Sequence, residues 1–190
     1  MRVLFDALMG SDDHCGGKRI AEASGPSDDR PVGIIEERLA QRGLVLPQPA
    51  RAPQGFAFSF EWVRVVGNRV LVSGHSPQAS DGQLAGPFGK VPSEVSLEAA
   101  TEAARATVLS VLGSVRNAIG DLDRITAWVT VTGMVNADSG YGETTNAING
   151  FSDLVLELFG PTVGAHARTA VGFAALPLNN AVVVGAELQI

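Results

Sequence analysis

Residues 96–133 read SLEAATEAARATVLSVLGSVRNAIGDLDRITAWVTVTG, and this stretch decides the fold class. Its first part predicts a helix, because apolar side chains recur at i, i+4, i+8, i+11, i+15 and i+19, namely Ala100, Ala104, Val108, Val111, Val115 and Ile119. Ser93 or Ser96 can cap this helix, and Gly120 can end it. From Ile125 to Gly133 the side chains alternate with a period of two and are rich in β-branched residues, which predicts a strand.

Two further helices are predicted on either side of this stretch. Apolar residues near helical spacing indicate a short helix at about 33–43, where Gly43 supplies a stop. The same spacing indicates a longer helix at about 144–159, which Gly160-Pro161 should break. The chain thus has at least three helical segments.

The remaining apolar segments have the pattern of strands. Alternation from Phe56 to Phe60 and again from Val70 to Gly74, across the turn Gly67-Asn68, predicts a β-hairpin. Two more strands are expected at about 167–174 and 181–190. The order β-β-α-β-α-β-β predicts an α/β (α+β) domain with a sheet of at least four strands and two helices on one face.

Composition indicates one domain with an extension. A chain of 190 residues with 45% hydrophobic content can bury one sizeable core. Residues 1–32 are expected to form a flexible N-terminal extension, because they contain a stretch rich in Gly, Ser, Asp and Pro without apolar periodicity. Cys15 is the only cysteine, which excludes an internal disulfide and a CxxC metal site, and we expect no metal and no cofactor.

Charge and hydropathy exclude several classes of partner. The net charge of −6 gives no electrostatic reason to bind nucleic acid, which normally requires clustered Lys and Arg. The longest apolar runs are far shorter than the roughly 18 residues of a membrane span, so no membrane partner is expected. The N-terminus does not resemble a signal peptide, and we expect a cytoplasmic protein.

Several motifs, taken in order, resemble one known family. They are Leu71-Val72-Ser73-Gly74, then Gly120-Asp121-Leu122-Asp123-Arg124-Ile125 before a Val/Thr strand, then His166-Ala167-Arg168-Thr169-Ala170-Val171 followed by Leu176-Pro177. Their order and spacing are similar to those of the RidA/YjgF family of reactive-intermediate deaminases. The resemblance covers about residues 33–190, which we take as the RidA-like domain, and points to a divergent subgroup.

The resemblance implies a fold, an assembly and a ligand class. It implies a chorismate-mutase-like fold, with a mixed sheet that has two helices packed on one face. It also implies a homotrimer in which three such sheets form a barrel, which would bury the sheet face that the helices leave open. The ligand sites would lie in clefts between subunits and take a small carboxylate-bearing imine or enamine.

Two residues are candidate catalytic residues. By resemblance, Arg168 holds the carboxylate of a 2-imino or 2-enamino acid, a role that suits the planar, bidentate guanidinium. His166 precedes Arg168 by two residues and would share its face of a strand, which makes it a candidate proton shuttle. His75 could also reach the cleft, although for both histidines a structural or surface role is the stronger interpretation. Glu61 and Glu143 are further candidate acids.

Other candidate substrate-binding residues follow from the same resemblance. Phe60 stands where many members have a tyrosine that closes over the ligand, although a core phenylalanine is the stronger interpretation. Ala170 stands where some members have a cysteine, and Ser152 lies near the usual place of an amide. Ser73 and Gly74 would line the cleft with backbone groups.

The last strand departs from the family pattern. The water-activating acid is expected fifteen residues after Arg168, where this chain has Val183, and Gly185 replaces a second common acidic residue. Glu187 would lie roughly 13 Å from position 183 along a strand, at about 3.3 Å per residue, which is too far to substitute. Whether the protein is an enzyme is therefore left open.

Three functional hypotheses remain at this stage. The first is a deaminase that hydrolyses a small imine or enamine to the keto acid. The second is a non-catalytic small-ligand-binding trimer, which the loss of carboxylates at Val183 and Gly185 favours. The third is a pathway-specific biosynthetic enzyme acting on a larger imine, suggested by the aromatic residues Phe56, Phe58, Phe60 and Trp62.

Overall fold

The computed structural model describes residues 33–190, so the predicted extension at 1–32 lies outside the described residues. The helices and strands of this part are, in chain order, α1 (Ile34–Gln41), β1 (Val63–Val66), β2 (Arg69–His75), α2 (Leu97–Ile119), β3 (Ala127–Asn136), α3 (Thr144–Val163), β4 (Ala167–Phe173) and β5 (Val182–Gln189). None of the helices in this range is long and apolar enough to cross a membrane.

The five strands form one mixed sheet in the order β1-β2-β5-β3-β4. Strands β3 and β4 are parallel, and the other neighbouring pairs are antiparallel. Helices α2 and α3 pack against each other and against one face of the sheet. The predicted α+β fold with two helices on one face is therefore confirmed, with α1 as a third, peripheral helix.

The predicted helices agree well with the observed ones. Helix α2 begins after Ser96, whose side chain accepts a hydrogen bond from the Ala99 amide, and ends at Gly120, which has a φ of 83°. Helix α3 departs from helical geometry at Gly160, as the sequence predicts, with a φ of 74°. After this break the chain makes one more helical turn, from Pro161 to Val163. Proline fits at the beginning of that turn because this position needs no backbone amide donor.

The hairpin prediction was right about the turn and wrong about the first strand. Gly67-Asn68 does join β1 to β2, with Val66 paired to Arg69. The first strand, however, is Val63–Val66 and not the Phe56–Phe60 segment. The Phe56–Phe60 segment does not pair with β2, and its Phe58 and Phe60 rings stack on each other with centroids 5.1 Å apart.

The two faces of the sheet have different surroundings. On the helix side, Val131 and Val184 are completely buried, and a β-carbon on Gly133 would meet Ile148 of α3. Neither α2 nor α3 covers the opposite face, where the short 3-10 helix Pro177–Asn179 lies near Val183. We call this face the open face, and it presents apolar side chains such as Val171, which is 37% exposed.

Candidate functional site

Arg168 lies on β4 and points to the helix side of the sheet. It pairs in register with Val131, whose side chain is buried on that side. Its Nη1 donates a hydrogen bond to Ser152 Oγ at 2.9 Å, and its Nη2 donates to Asn149 Oδ1 at 3.0 Å. Asn149 and Ser152 share a face of α3 because they are three residues apart. The helix therefore fixes the orientation of the guanidinium.

His166 extends this arrangement by one hydrogen bond. Its Nε2 lies 2.9 Å from Ser152 Oγ, and its Nδ1 lies 2.7 Å from the carbonyl oxygen of Gly164. A carbonyl can only accept, so Nδ1 carries the proton in the neutral imidazole. Nε2 then accepts the Ser152 hydroxyl proton, and Ser152 Oγ accepts from Arg168. We call Asn149, Ser152, His166 and Arg168 the arginine cluster.

Ala170 and Trp128 lie beside the arginine cluster. Ala170 is two residues after Arg168 and shares its side of the sheet, where its carbonyl accepts a hydrogen bond from Thr144 at 3.2 Å. The Trp128 ring centroid is 6.5 Å from that of His166. Three predicted site residues, Ser152, His166 and Arg168, are thus directly hydrogen-bonded, and Ala170 is adjacent in the strand.

A second group of predicted site residues surrounds a cavity of about 150 Å³ on the other side of the sheet. We call it the aromatic cavity, and its lining includes Phe58, Phe60, Trp62, Gly74 and Val183. Phe60 and Trp62 meet edge to face, with centroids 5.1 Å apart. The position of the expected acid, Val183, therefore faces an apolar space bounded by aromatic rings.

Ser73 and His75 flank Gly74 and are not part of the cavity lining, although the His75 ring centroid lies 5.0 Å from that of Trp62. Ser73 donates its hydroxyl to the Glu61 carbonyl at 2.7 Å. His75 is buried, with Nδ1 2.7 Å from the Ser73 carbonyl and Nε2 2.9 Å from Ser114 Oγ. Burial lowers the pKa of His75 to about 4, with the Ser73 carbonyl acting in the opposite direction. His75 is accordingly a neutral residue of the core.

The arginine cluster and the aromatic cavity do not meet within one chain. Strands β4 and β2 are separated by β3 and β5, so Arg168 and Gly74 are three strand spacings apart, roughly 14 Å. They also belong to opposite faces, because Arg168 pairs with Val131 whereas Val183 pairs with Met134, three residues later on β3. Within one chain, the two groups of predicted site residues therefore lie on opposite sides of the sheet.

The candidate acids do not occupy the place of the missing carboxylate. Glu187 forms a two-pronged ion pair with Arg69, at 2.6 and 3.0 Å, and this hydrogen bond lowers the pKa of the Glu187 carboxyl. Glu61 contributes its backbone carbonyl to Ser73, and Glu143 is exposed just before α3. None of these three carboxylates lines the aromatic cavity.

One group of carboxylates has the spacing of a metal site. Ligand atoms of Glu36, Asp121 and Asp123 lie within 4.8 Å of one another. Asp123 uses both oxygens to accept the amides of Ile34 and Ile35, at 2.7 and 3.0 Å. Asp123 thus satisfies two backbone amides at the start of α1 that have no partner within the helix, and this role explains its position. The expected lack of a metal and a cofactor stays a prediction.

Two residues near these groups were not anticipated. Asn149 could have been found from its spacing to Ser152, since residues three apart on a helix are neighbours. Arg51 contributes to the lining of the aromatic cavity from the proline-rich segment before β1. Nothing in the local sequence marks Arg51, because its position depends on the path of an irregular segment.

The sheet order, the helices on one face and the arginine on β4 define a chorismate-mutase-like α+β protein. The model of the family described as "YjgF/chorismate mutase-like, putative endoribonuclease" matches residues 36–188. The chain therefore belongs to the YjgF/chorismate mutase-like family, as the motifs of the sequence predicted.

Individual relatives agree with this assignment. Protein TCP17 of Trypanosoma cruzi is 35% identical over 158 residues, which cover 83% of this chain and 95% of that protein. The structure of Atu1372, a protein of unknown function from Agrobacterium tumefaciens, has a TM-score of 0.72 and 32% identity, covering 83% of this chain and 92% of its own. A "putative endoribonuclease" from Shewanella oneidensis MR-1 has a TM-score of 0.75 and 29% identity, covering 82% and 99%.

Proposed function

We propose that this protein binds a small carboxylate-bearing imine or enamine and hydrolyses it to the keto acid and ammonia. The observation that carries the proposal is the orientation of Arg168 by Ser152 and Asn149. Those bonds use two N–H groups of the guanidinium and leave the others for a carboxylate. Hydrolysis requires water to add at the carbon next to that carboxylate, and a fixed carboxylate orients this carbon.

The proposed site lies in a cleft between copies of the chain in a homotrimer. Two features support this assembly: the open face exposes apolar side chains such as Val171, and Arg168 is three strand spacings, roughly 14 Å, from Gly74 at the aromatic cavity. A second copy whose aromatic cavity approaches Arg168 would complete one cleft, and three copies would complete three. The predicted substrate-binding residues Phe60, Ser73 and Gly74 would then face Arg168 of a neighbour. We expect this assembly in the cytoplasm.

Ammonia release from freshly generated 2-iminobutyrate tests the activity. Wild-type protein is expected to accelerate release, and Arg168→Ala is expected to abolish the acceleration. Arg116→Ala is the matched control, because Arg116 is an exposed arginine on α2 whose nearest carboxylate oxygen, on Glu36, is 3.6 Å away. A release rate that wild-type protein leaves unchanged would refute the proposed hydrolysis.

A non-catalytic ligand-binding trimer is the second candidate function. The observation that favours it is Val183, an apolar residue at the position of the expected acid, in a cavity lined by Phe60 and Trp62. Calorimetry with 2-ketobutyrate separates the two candidates. Binding that disappears in Arg168→Ala, together with no turnover by the wild-type protein, would favour simple binding.

The same cavity supports the third candidate, a biosynthetic enzyme acting on a larger imine. Its lining by Phe58, Phe60 and Trp62 would suit a substrate with an apolar or aromatic substituent. Stronger Arg168-dependent binding of benzoate than of 2-ketobutyrate would favour it.

Nucleic acid is not expected as a partner, although some relatives are described as endoribonucleases. The chain has 14 Lys and Arg against 20 Asp and Glu, which disfavours a polyanion. Ribonuclease activity that survives purification and is lost in Arg168→Ala would overturn this prediction.

A further inference from the structure

We infer that Ser152 and His166 together transfer the proton that an acidic residue at position 183 would otherwise transfer. This inference rests on the proposed imine hydrolysis at Arg168 and identifies the group that activates water there. It starts from an unusual arrangement: a hydroxyl, an imidazole and a guanidinium linked by hydrogen bonds of 2.9 Å.

The geometry is that of a hydroxyl with an oriented base. Ser152 Oγ lies within hydrogen-bond reach of His166 Nε2, and the Gly164 carbonyl fixes the opposite nitrogen at 2.7 Å. This contact selects the tautomer in which Nε2 can accept a proton from Ser152. Arg168 Nη1 donates to the same oxygen, so it would stabilise negative charge that develops on Ser152 Oγ during transfer.

The position of the hydroxyl also fits the substrate. In a 2-imino acid the reacting carbon is bonded directly to the carboxylate carbon. A carboxylate held on the free N–H groups of Arg168 therefore brings the reacting carbon close to Ser152, whose oxygen is 2.9 Å from Nη1. A water molecule between the reacting carbon and Ser152 would be able to donate a hydrogen bond to Ser152 Oγ, which has one unused lone pair.

The proton can be followed through the whole reaction. The water oxygen bonds to the iminium carbon, one water proton passes to Ser152 Oγ, and the serine proton passes to His166 Nε2. The resulting carbinolamine recovers that proton on nitrogen by the reverse route. The carbon–nitrogen bond then breaks, the ammonia that leaves takes the remaining hydroxyl proton, and the products are the keto acid and ammonium. No oxidant or cofactor takes part.

The hydrogen-bond partners of His166 are uncharged. Its imidazole contacts three uncharged groups, the Gly164 carbonyl, the Ser152 hydroxyl and the Trp128 ring. The charged group on the same hydrogen-bond chain is Arg168. Ser152 is then the residue that touches the reacting water, and His166 acts through it.

The test measures kcat and KM for ammonia release from 2-iminobutyrate across a range of pH, in the full-length protein. Ser152→Ala is expected to lower kcat by about 10²-fold or more, with a much smaller change in KM. Ser152→Thr retains the hydroxyl and should recover most of kcat. His166→Gln should lower kcat similarly, because it removes the imidazole nitrogen that accepts the serine proton. Ser93→Ala, at an exposed serine outside both groups, serves as the control.

The possible results separate the inference from the proposed function. If wild-type protein is inactive, the proposed hydrolysis and the proton transfer both fail. If wild-type protein is active and depends on Arg168, but Ser152→Ala has wild-type kcat, the proton transfer alone is overturned. Equal losses in Ser152→Ala and Ser152→Thr, with circular dichroism showing both folded, would also overturn it, because the hydroxyl would then not matter.

Discussion

Val183 packs directly onto the backbone of Gly74. A β-carbon placed on Gly74 would lie 2.7 Å from Val183 Cγ1, closer than carbon atoms approach without displacement. The residue that replaces the expected acid therefore occupies the space beside the second strand. The side-chain sizes that positions 74 and 183 can accommodate therefore depend on each other.

The first prediction concerns this contact. Gly74→Ala should lower the free energy of unfolding by about 1–3 kcal/mol, because the added methyl group overpacks the aromatic cavity. The double variant Gly74→Ala with Val183→Ala should recover part of the loss, since it removes the atom in conflict. Urea unfolding measures both. Gly142→Ala is the control, because a β-carbon there meets no atom within 4 Å, and additive effects of the two cavity substitutions would contradict the coupling.

The second prediction tests the proposed trimer. Val171→Lys places a charge on the open face and should reduce the mass in solution from three times the chain mass of 19.7 kDa to a single chain. Sedimentation velocity measures the mass. Leu156→Lys on α3 is matched in exposure, 40% against 37%, and should leave the assembly intact. A wild-type protein that sediments as a monomer would exclude the proposed cleft.

The third prediction is that the low pKa of His75 makes the free energy of unfolding decrease at acidic pH. His75 has a folded-state pKa of about 4 against an ordinary value of 6.5, so the unfolded chain binds a proton more readily. Stability is therefore fully present above about pH 6.5 and falls as pH decreases towards 4, by up to about 3 kcal/mol. His75→Gln should remove this part of the pH dependence in urea unfolding, whereas His166→Gln should retain it. Parallel curves for wild type and His75→Gln would refute the assignment.

The fourth prediction separates small from large ligands. Phe60→Ala should weaken benzoate binding by about tenfold, which is the size of an aromatic contact, and affect 2-ketobutyrate less. Calorimetry provides both affinities. Phe56→Ala is matched in exposure, 54% against 49%, and lies outside the cavity lining. Equal losses for both ligands would argue against an aromatic substituent in the cavity.

The elements that were predicted well are those whose local sequence signals agree with the way they pack in the folded chain. Helix α2 has an apolar stripe, a serine cap and a terminal glycine, and each feature is local. The strand predicted at Phe56–Phe60 was wrong. The residues do alternate, but the Phe58 and Phe60 rings pack on each other and the segment has no partner strand. Periodicity cannot distinguish those two outcomes.

Some contacts among the predicted residues could be anticipated from the sequence, but the placement of the two groups on the sheet could not. His166 lies two residues before Arg168, in the segment that leads into β4, and Ser152 approaches both residues from α3. The separation of Arg168 from Gly74 follows from β5 and β3 lying between β2 and β4. Strand order is set by long-range pairing, and no motif in the sequence specifies it.

The distance between the two halves of the site has a genetic consequence. In the proposed ring, Arg168 of one subunit works with the aromatic cavity of another, so a subunit damaged in one half still lends its other half to a neighbour. Two loss-of-function alleles, one affecting Arg168 and one affecting Gly74, should therefore complement each other when co-expressed. Mixed rings would contain some intact clefts, although neither allele alone encodes one.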